Sequence, residues 1–445
     1  MYRISLNTLW LRKQTDKLPL KWYAALCLLM VGVVFYSSYG FSNWLSAQRT
    51  PLPEIAFSWE YSIPFLAWTI IPYWSLNLFY AASVFLCRNR TELHGLLKQL
   101  LLAQAIAISC FILLPLQFSW SKPESYGISG ILFHALAGFD QPYNQAPSLH
   151  IILAIILGHF YYFKFPMRLR KVWLAYLLLI GLSVLSTYQH HFIDIPTGIL
   201  VGAFILWALP IEKAPAWQST LIKPPRQNQK LAHYYLLAAF MLVLLSCLGG
   251  WFLWLLWGGI ACILVALIYA KLGAQAFQKT LNNGRMSFAA QLLLTPYLLA
   301  VRLNMSYWLR NVPQSVAVTD KVFVGSILDS AKFHSIVDVC AEYPCHVGRK
   351  QQYTLIPLLD MVPPHAEELL HAAKAIQNQM SNTSEPILVC CALGYSRSIA
   401  VIITWLVHYQ YCASLDEALS LVKSIRPQMV LSKSVQQLIS KAVMR

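Results

Sequence analysis

Between Met1 and Val312 the chain carries only 8 acidic residues, and apolar runs near the length of a bilayer crossing recur through that whole stretch. A hydrocarbon core takes about 20 consecutive apolar residues to cross as a helix. Such a distribution, with 57% hydrophobic and 12% charged residues overall and a mean hydropathy of +0.52, rules out a wholly soluble chain. The spacing predicts spans near 22–45, 65–87, 99–117, 148–163, 172–189, 194–210, 232–248 and 251–270. The segment 287–301 is apolar but about 15 residues long, contains Pro296 and is bracketed by Arg285 and Arg302, so it reads as an interfacial helix. The first apolar run lies behind Arg3, Arg12, Lys13, Lys17 and Lys21, as in an uncleaved signal anchor.

The formal charge of +16 raises the question of a nucleic-acid partner, and its distribution answers against one. From residue 315 onward 11 basic residues face 10 acidic ones, whereas the first part holds 23 basic against 8 acidic. Sixteen Lys and Arg fall on the N-terminal tail and the alternate connections near 88–98, 164–171 and 213–230, against Arg49 and Lys122 on the opposite loops. Positive residues favour the cytoplasmic side, so eight spans leave both termini in the cytoplasm, as expected of a multi-pass protein of the cell inner (plasma) membrane. The ten cysteines divide evenly between membrane segments and the cytoplasmic part, which asks for no disulfide framework. The expected domains are 1–212, a membrane domain; 213–314, two further spans, the interfacial helix and a linker; and 315–445, a cytoplasmic α/β domain. The oligomeric state stays open.

Two polar clusters interrupt the apolar pattern on the non-cytoplasmic side: NQAPSLH, Asn144 to His150, and HHFID, His190 to Asp194. Ionisable groups at a membrane edge are functional by default. A histidine with an aspartate four residues on suits phosphoryl transfer: one ring nitrogen attacks phosphorus while the carboxylate fixes the proton on the other, and a second histidine protonates the leaving oxygen. Together the clusters resemble the type 2 phosphatidic acid phosphatase superfamily, in its branch that looks like inositol phosphorylceramide synthases, over about residues 20–212. The motif Pro-Ser-Gly-His appears as Pro147, Ser148, Leu149, His150, and Ser-Arg-x5-His-x3-Asp falls on Ser183, Val184, His190 and Asp194. The resemblance implies His190 as nucleophile, Asp194 as its orienter, His150 as general acid and Ser148 as a phosphate contact. Val184 stands where the family has an arginine, and a first motif is reduced to Lys122 and Pro123. Either Lys122 substitutes as a point charge or the site is weakened, because a lost guanidinium removes bidentate phosphate recognition. Hydrolysis and transfer to a second alcohol share the same phosphohistidine.

Residues 315–445 alternate short β-rich runs, beginning at Val322, Ser335, Tyr353 and Ile387, with helical patterns after 364, 397, 414 and 432. That order argues for α/β with a central, mostly parallel sheet. Within VCCALGYSRSIAV an apolar strand runs through a short turn into a helix. Such a turn aims successive N–H groups at one point, an anion cradle. Cys391 at its start can attack bound phosphorus, Arg397 can grip two oxygens, Ser398 can assist thiolate release and Gly394 serves the loop. Asp360, at the end of a strand before a Pro-rich stretch, fits a general acid. This segment closely resembles the cysteine-dependent dual-specificity phosphatases over nearly all of its length, and the resemblance implies those same roles. The family's usual histidine before the nucleophile is Cys390 here. No histidine spacing fits a metal site, and neither phosphatase chemistry requires a metal or other cofactor. Expected partners are membrane phospholipids or phosphorylated lipid headgroups, or phosphoproteins; the alternative is a membrane-anchored scaffold with one or both sites silent.

Overall fold

A computed structural model describes residues 18–211, 225–348 and 350–443. Arg3, Arg12, Lys13, Lys17, Lys213 and Lys223, which carried part of the charge-based topology, lie outside the described residues. The chain divides into two units, Met1–Pro215 and Ala216–Arg445. The expected middle region therefore belongs with the α/β part.

The first unit is helical: α1 (Leu20–Ala47), α2 (Ile70–Phe85), α3 (Arg90–Leu113), α4 (Gly127–Ala137), α5 (Leu149–Lys164), α6 (Met167–Ser186) and α7 (Asp194–Ala208). The third span starts earlier than its apolar core, because Asn89 accepts the Glu92 N–H at 2.9 Å and caps the helix at Arg90. Helix α4 was not expected. Helices α5 and α7 approach closely at Gly198 and Gly202: a Cβ on Gly198 would stand 2.8 Å from Ile151 Cβ and 2.9 Å from the Ser148 carbonyl oxygen. Small residues at such crossings let backbones meet within a membrane. That crossing brings the PSLH and HHFID segments together.

The second unit begins with α8 (Arg226–Ser246) and α9 (Leu255–Leu267), the latter preceded by a 3₁₀ turn from Gly250 and ended by a π-helical turn, Ile268–Leu272. Helix α10 (Phe288–Trp308) follows. Six helices among the described residues are long and apolar enough to cross a membrane: α1, α3, α6, α8, the continuous 250–272 segment and α10. The other three expected spans fall on α2, α5 and α7, of 16, 16 and 15 residues. Helix α10 corrects the sequence expectation of about 15 residues, since it runs 21 residues through Pro296 and past Arg302.

The remaining elements form the α/β part: β1 (Ser315–Ala317), β2 (Val322–Ser326), β3 (Ser335–Cys340), β4 (Gln352–Leu358), α11 (Ala366–Asn382), β5 (Ile387–Cys391), α12 (Arg397–His408), α13 (Leu415–Ile425) and α14 (Lys433–Val443). The sheet order is β1-β2-β5-β3-β4, parallel except for antiparallel β1. The central strands are buried along nearly their whole length, as parallel strands covered on both faces should be.

Both ends of α10 are bound to this sheet domain. On the N-terminal side, Lys279 forms a buried ion pair with Asp338 at 2.5 Å and also donates to the Cys340 carbonyl at 2.8 Å, while the Cys345 N–H donates to the Gly284 carbonyl at 2.9 Å. At its C-terminal side, Met305 and Leu309 are buried in the sheet domain's core and the Tyr395 hydroxyl donates to the Trp308 carbonyl at 3.0 Å.

Candidate active sites

In the helical unit, the turn after α6 carries His190, and the first residue of α7 is Asp194. His190 Nδ1 lies 3.1 Å from Asp194 Oδ2, which also accepts the His191 N–H at 3.1 Å. The Val184 carbonyl accepts the His190 N–H at 3.1 Å. With Nδ1 engaged by the carboxylate, Nε2 is the ring atom left for chemistry. The Ser148 N–H donates to the Asp194 carbonyl at 3.2 Å, which ties the two motifs. Ser148 itself is fully buried and caps α5, its Oγ accepting the Ile151 N–H at 3.3 Å. Its hydroxyl proton is the part that remains for a phosphate oxygen. His150 stacks on Tyr73 with ring centroids 3.9 Å apart, and its Nε2 is buried without a hydrogen-bond partner among the described residues.

Lys122 donates to Gln189 Oε1 at 2.8 Å, next in sequence to His190, and the two residues line a cavity of about 260 Å³. Burial pulls the Lys122 ammonium below its usual range, against the attraction of Asp140. Asp140 is raised by its own burial despite a 2.6 Å hydrogen bond from Tyr39 and the nearby His190 and Lys122. Val184 is completely buried with Ile70, Tyr73, Leu136 and Ile151. The position where the resemblance expects a guanidinium is thus an apolar cluster.

Sequence reading missed Glu60. Its carboxylate lies 3.3 Å from His191 Nδ1 and accepts the Phe57 and Phe192 N–H groups at 2.7 and 2.8 Å. Burial alone would raise its pKa, but these bonds hold it below the usual carboxylate value. The other face of His191 meets Ser119, whose Oγ is 3.0 Å from Nε2. Glu60 therefore fixes the turn that presents His190. Its signal was scarcity, an acidic residue in a stretch holding few.

In the α/β part, β5 delivers Cys391 to a loop that closes at Arg397, the first residue of α12. Cys391 Sγ lies 3.3 Å from the Gly394 backbone N and 3.3 Å from Ser398 Oγ. Gly394 has φ +73°, and a Cβ there would stand 2.5 Å from the Gly325 carbonyl carbon. Only glycine meets both demands. The loop's outer carbonyls are held as well: Ser326 Oγ donates to Ala392 at 2.6 Å and Arg426 to Leu393 at 3.1 Å. Cys390, on the opposite face of β5, is fully buried, and that burial pushes its thiol pKa up.

Arg397 is buried and anchored from three directions. Its Nη atoms meet both Glu342 oxygens at 2.6 Å, Nη1 donates to the Leu358 carbonyl at 2.9 Å, and Nη2 lies 3.1 Å from Asp360 Oδ1. Its Nε has no partner among the described residues. Burial disfavours the charge, yet Asp360 and Glu342 outweigh it and keep the guanidinium protonated. In return, Arg397 overcomes burial and holds Glu342 below its ordinary value of 4.5. Asp360 goes the other way: desolvation, with help from the Glu342 charge, outweighs Arg397 and raises it above 3.8. The geometry gathers Cys391, Arg397, Ser398, Gly394 and Asp360 as expected from sequence, and adds Glu342. An acidic residue two positions after the apolar run of β3 was the available signal.

Known families match both regions. The model of the PAP2 superfamily matches residues 40–208, and that of the dual specificity phosphatase catalytic domain matches residues 319–443. Among solved structures, Tk-PTP in its active form is 22% identical, covering 30% of this chain and 99% of its own, with a TM-score of 0.28. Human DUSP28 is 22% identical over 30% and 94%, with a TM-score of 0.28. PTPMT1, solved in complex with PI(5)P, is 14% identical over 30% and 96%, with a TM-score of 0.26. A search of curated proteins gave no match.

Proposed function

We propose that this membrane phosphatase, a chain joining a PAP2-superfamily domain to a dual specificity phosphatase catalytic domain, cleaves phosphorylated lipid headgroups at its C-terminal site and carries a second, histidine-based phosphoryl-transfer site in its helical unit. Arg397 carries the reading for the first site. Its Nη atoms are already engaged by Glu342, Asp360 and the Leu358 carbonyl, and the buried Nε–H that is left at the end of the cysteine-headed loop is a donor that a phosphate oxygen satisfies. The Cys391 thiolate attacks phosphorus while the bond to the leaving oxygen breaks, and Asp360, carrying a proton, gives it to that oxygen. Asp360 as carboxylate then takes a proton from water, whose oxygen displaces sulfur from phosphorus and regenerates the thiolate assisted by Ser398. Arg397 and the loop N–H groups hold the equatorial oxygens throughout.

The lipid preference rests on α10. A helix whose two ends both bind one small domain does not place those ends on opposite faces of a bilayer, so α10 lies along the membrane although its length suffices to cross. It shows Phe288, Leu299, Leu303, Tyr307 and Trp308 on its exposed surface, with Arg302 and Arg310 beside them, the composition of an interfacial helix. The catalytic loop then works at the plane where headgroups lie. Phosphoproteins are the competing substrate class for this site.

In the second site His190 Nε2 attacks phosphorus, Asp194 keeps the proton on Nδ1 and His150 protonates the leaving oxygen; water or another alcohol resolves the phosphohistidine. The basic-residue count supports this site on the non-cytoplasmic face and the cysteine site on the cytoplasmic one. A silent helical site is the second reading, favoured by the apolar setting of Val184. The test is phosphate release by purified full-length protein from a chromogenic phosphomonoester and from phosphorylated lipids in mixed micelles, repeated with Cys391→Ser and His190→Ala. We expect Cys391→Ser to remove the soluble-substrate activity and His190→Ala to remove a residual lipid activity. Absence of turnover in the wild type on every substrate sinks the enzyme reading, while turnover on phosphopeptides and not on lipids sinks the lipid preference.

A further inference from the structure

The turn that carries Asp360 is held from outside the sheet domain by two helices of the membrane-type set. Tyr269 stands in the π-helical turn that ends α9, a distortion found often at functional sites, and its hydroxyl donates to the Asp360 carbonyl at 3.1 Å. Gln227, in the first turn of α8, donates its Nε2–H to the Met361 carbonyl at 2.5 Å. Two consecutive carbonyls are thus gripped by side chains from two different helices. Met361 has φ +58° and an exposed side chain, a conformation that a non-glycine residue keeps when its surroundings impose it. Tyr269 is itself immobilised: it is 2% exposed, its ring stacks on Tyr235 of α8 at 5.8 Å, and Tyr235 meets Tyr297 of α10 edge-on at 6.0 Å. Ordinary helix packing accounts for the three packed rings. It does not account for both hydrogen bonds converging on the one turn whose carboxylate touches Arg397.

We infer that Tyr269 and Gln227 are positioning residues for the acid step of the C-terminal site, so that the membrane helices set where Asp360 stands between Arg397 and the leaving oxygen. This rests on the assignment of Asp360 as the acid. A misplaced acid has a recognisable signature. When the phosphorus–oxygen bond breaks toward a basic alkoxide, the departing oxygen needs the Asp360 proton; when it breaks toward a weakly basic phenoxide, the bond breaks without one.

The experiment compares kcat/KM, which covers the steps up to cleavage of the phosphorus–oxygen bond, on a short-chain alkyl phosphate and on p-nitrophenyl phosphate. It uses full-length protein in detergent micelles and counts only the rate that Cys391→Ser abolishes. Asp360→Asn is expected to lose about 100-fold on the alkyl substrate and only a few-fold on the aryl one. Tyr269→Phe, which keeps the ring and its stacking, is expected to lose about tenfold on the alkyl phosphate and less than about twofold on the aryl phosphate. Gln227→Ala should shift in the same sense by less. Equal losses on both substrates, or no loss in Tyr269→Phe and Gln227→Ala while Asp360→Asn stays selective, overturn the positioning role and leave the acid assignment standing. If Asp360→Asn shows no dependence on the leaving group, the acid assignment falls and the positioning role falls with it.

Discussion

His190 and Cys391 are held by similar means and surrounded by different charge. In each site a carboxylate remote in sequence fixes the local geometry, Glu60 through His191 in the helical unit and Glu342 through Arg397 in the α/β unit. The cations differ. Arg397 sits between two carboxylates that keep it charged in a buried setting, whereas Lys122 has a neutral amide as its hydrogen-bond partner and burial lowers its pKa. A cation can be both buried and permanent when its counter-charges are built in beside it. The guanidinium of the C-terminal site is therefore held charged by its neighbours, a support that the ammonium of the helical site lacks.

The sharpest break between the two sites comes from Cys391→Ser, which should lower soluble phosphomonoesterase activity by more than about a thousandfold while any His190-dependent lipid turnover stays; steady-state phosphate release measures both. Glu342→Gln comes next. Removing one partner of a buried pair costs about 3 kcal/mol, moderated here because Asp360 and the Leu358 carbonyl still engage Arg397, and it should appear as a lower denaturation midpoint together with a raised KM. The same pair has a pH signature. Arg397 depresses the Glu342 carboxyl, so its stabilisation is present above the ordinary value of 4.5 and is lost as pH falls through the lower folded value. Acid titration of Glu342→Gln should lack that contribution.

Val184→Arg tests whether the helical site lacks only its guanidinium. Since Val184 is enclosed by Ile70, Tyr73, Leu136 and Ile151, the substitution should destabilise by roughly 2–3 kcal/mol and restore nothing, as thermal melts in detergent and lipid assays would show; a gain in lipid turnover would contradict that packing. The smallest effect is in pH–rate profiles of the cysteine site. Because Asp360 is raised and acts as a proton donor in the first step, kcat/KM should fall as pH rises through its value, and Asp360→Asn should flatten this alkaline limb.

The parts legible in sequence were those whose information is local. The strand, turn and helix around Cys391 lie within one short segment, and the five residues from His190 to Asp194 set their own contact. Partners supplied from afar were not legible: Glu342 is 55 residues from Arg397, and Glu60 131 from His191. Helix α10 was read too short because Arg302 looked like a boundary, although a long basic side chain can extend its head to water from a continuing helix. Strand β1 has three residues and pairs only at the sheet's edge, too short for any alternation to register.

The ion pair of Lys279 with Asp338 bears on how the C-terminal part can be handled in the laboratory. A chain trimmed to begin at residue 315, where the sheet starts, leaves behind the ammonium that neutralises a carboxylate sealed inside β3, and it uncovers the apolar surface that Met305 and Leu309 fill. Such a fragment is expected to be poorly soluble and easily unfolded, whatever its motif suggests about autonomy. A cut placed ahead of Lys279 keeps both the ion pair and the buried Met305 and Leu309, and such a longer fragment is expected to melt at a higher temperature than one that begins at residue 315.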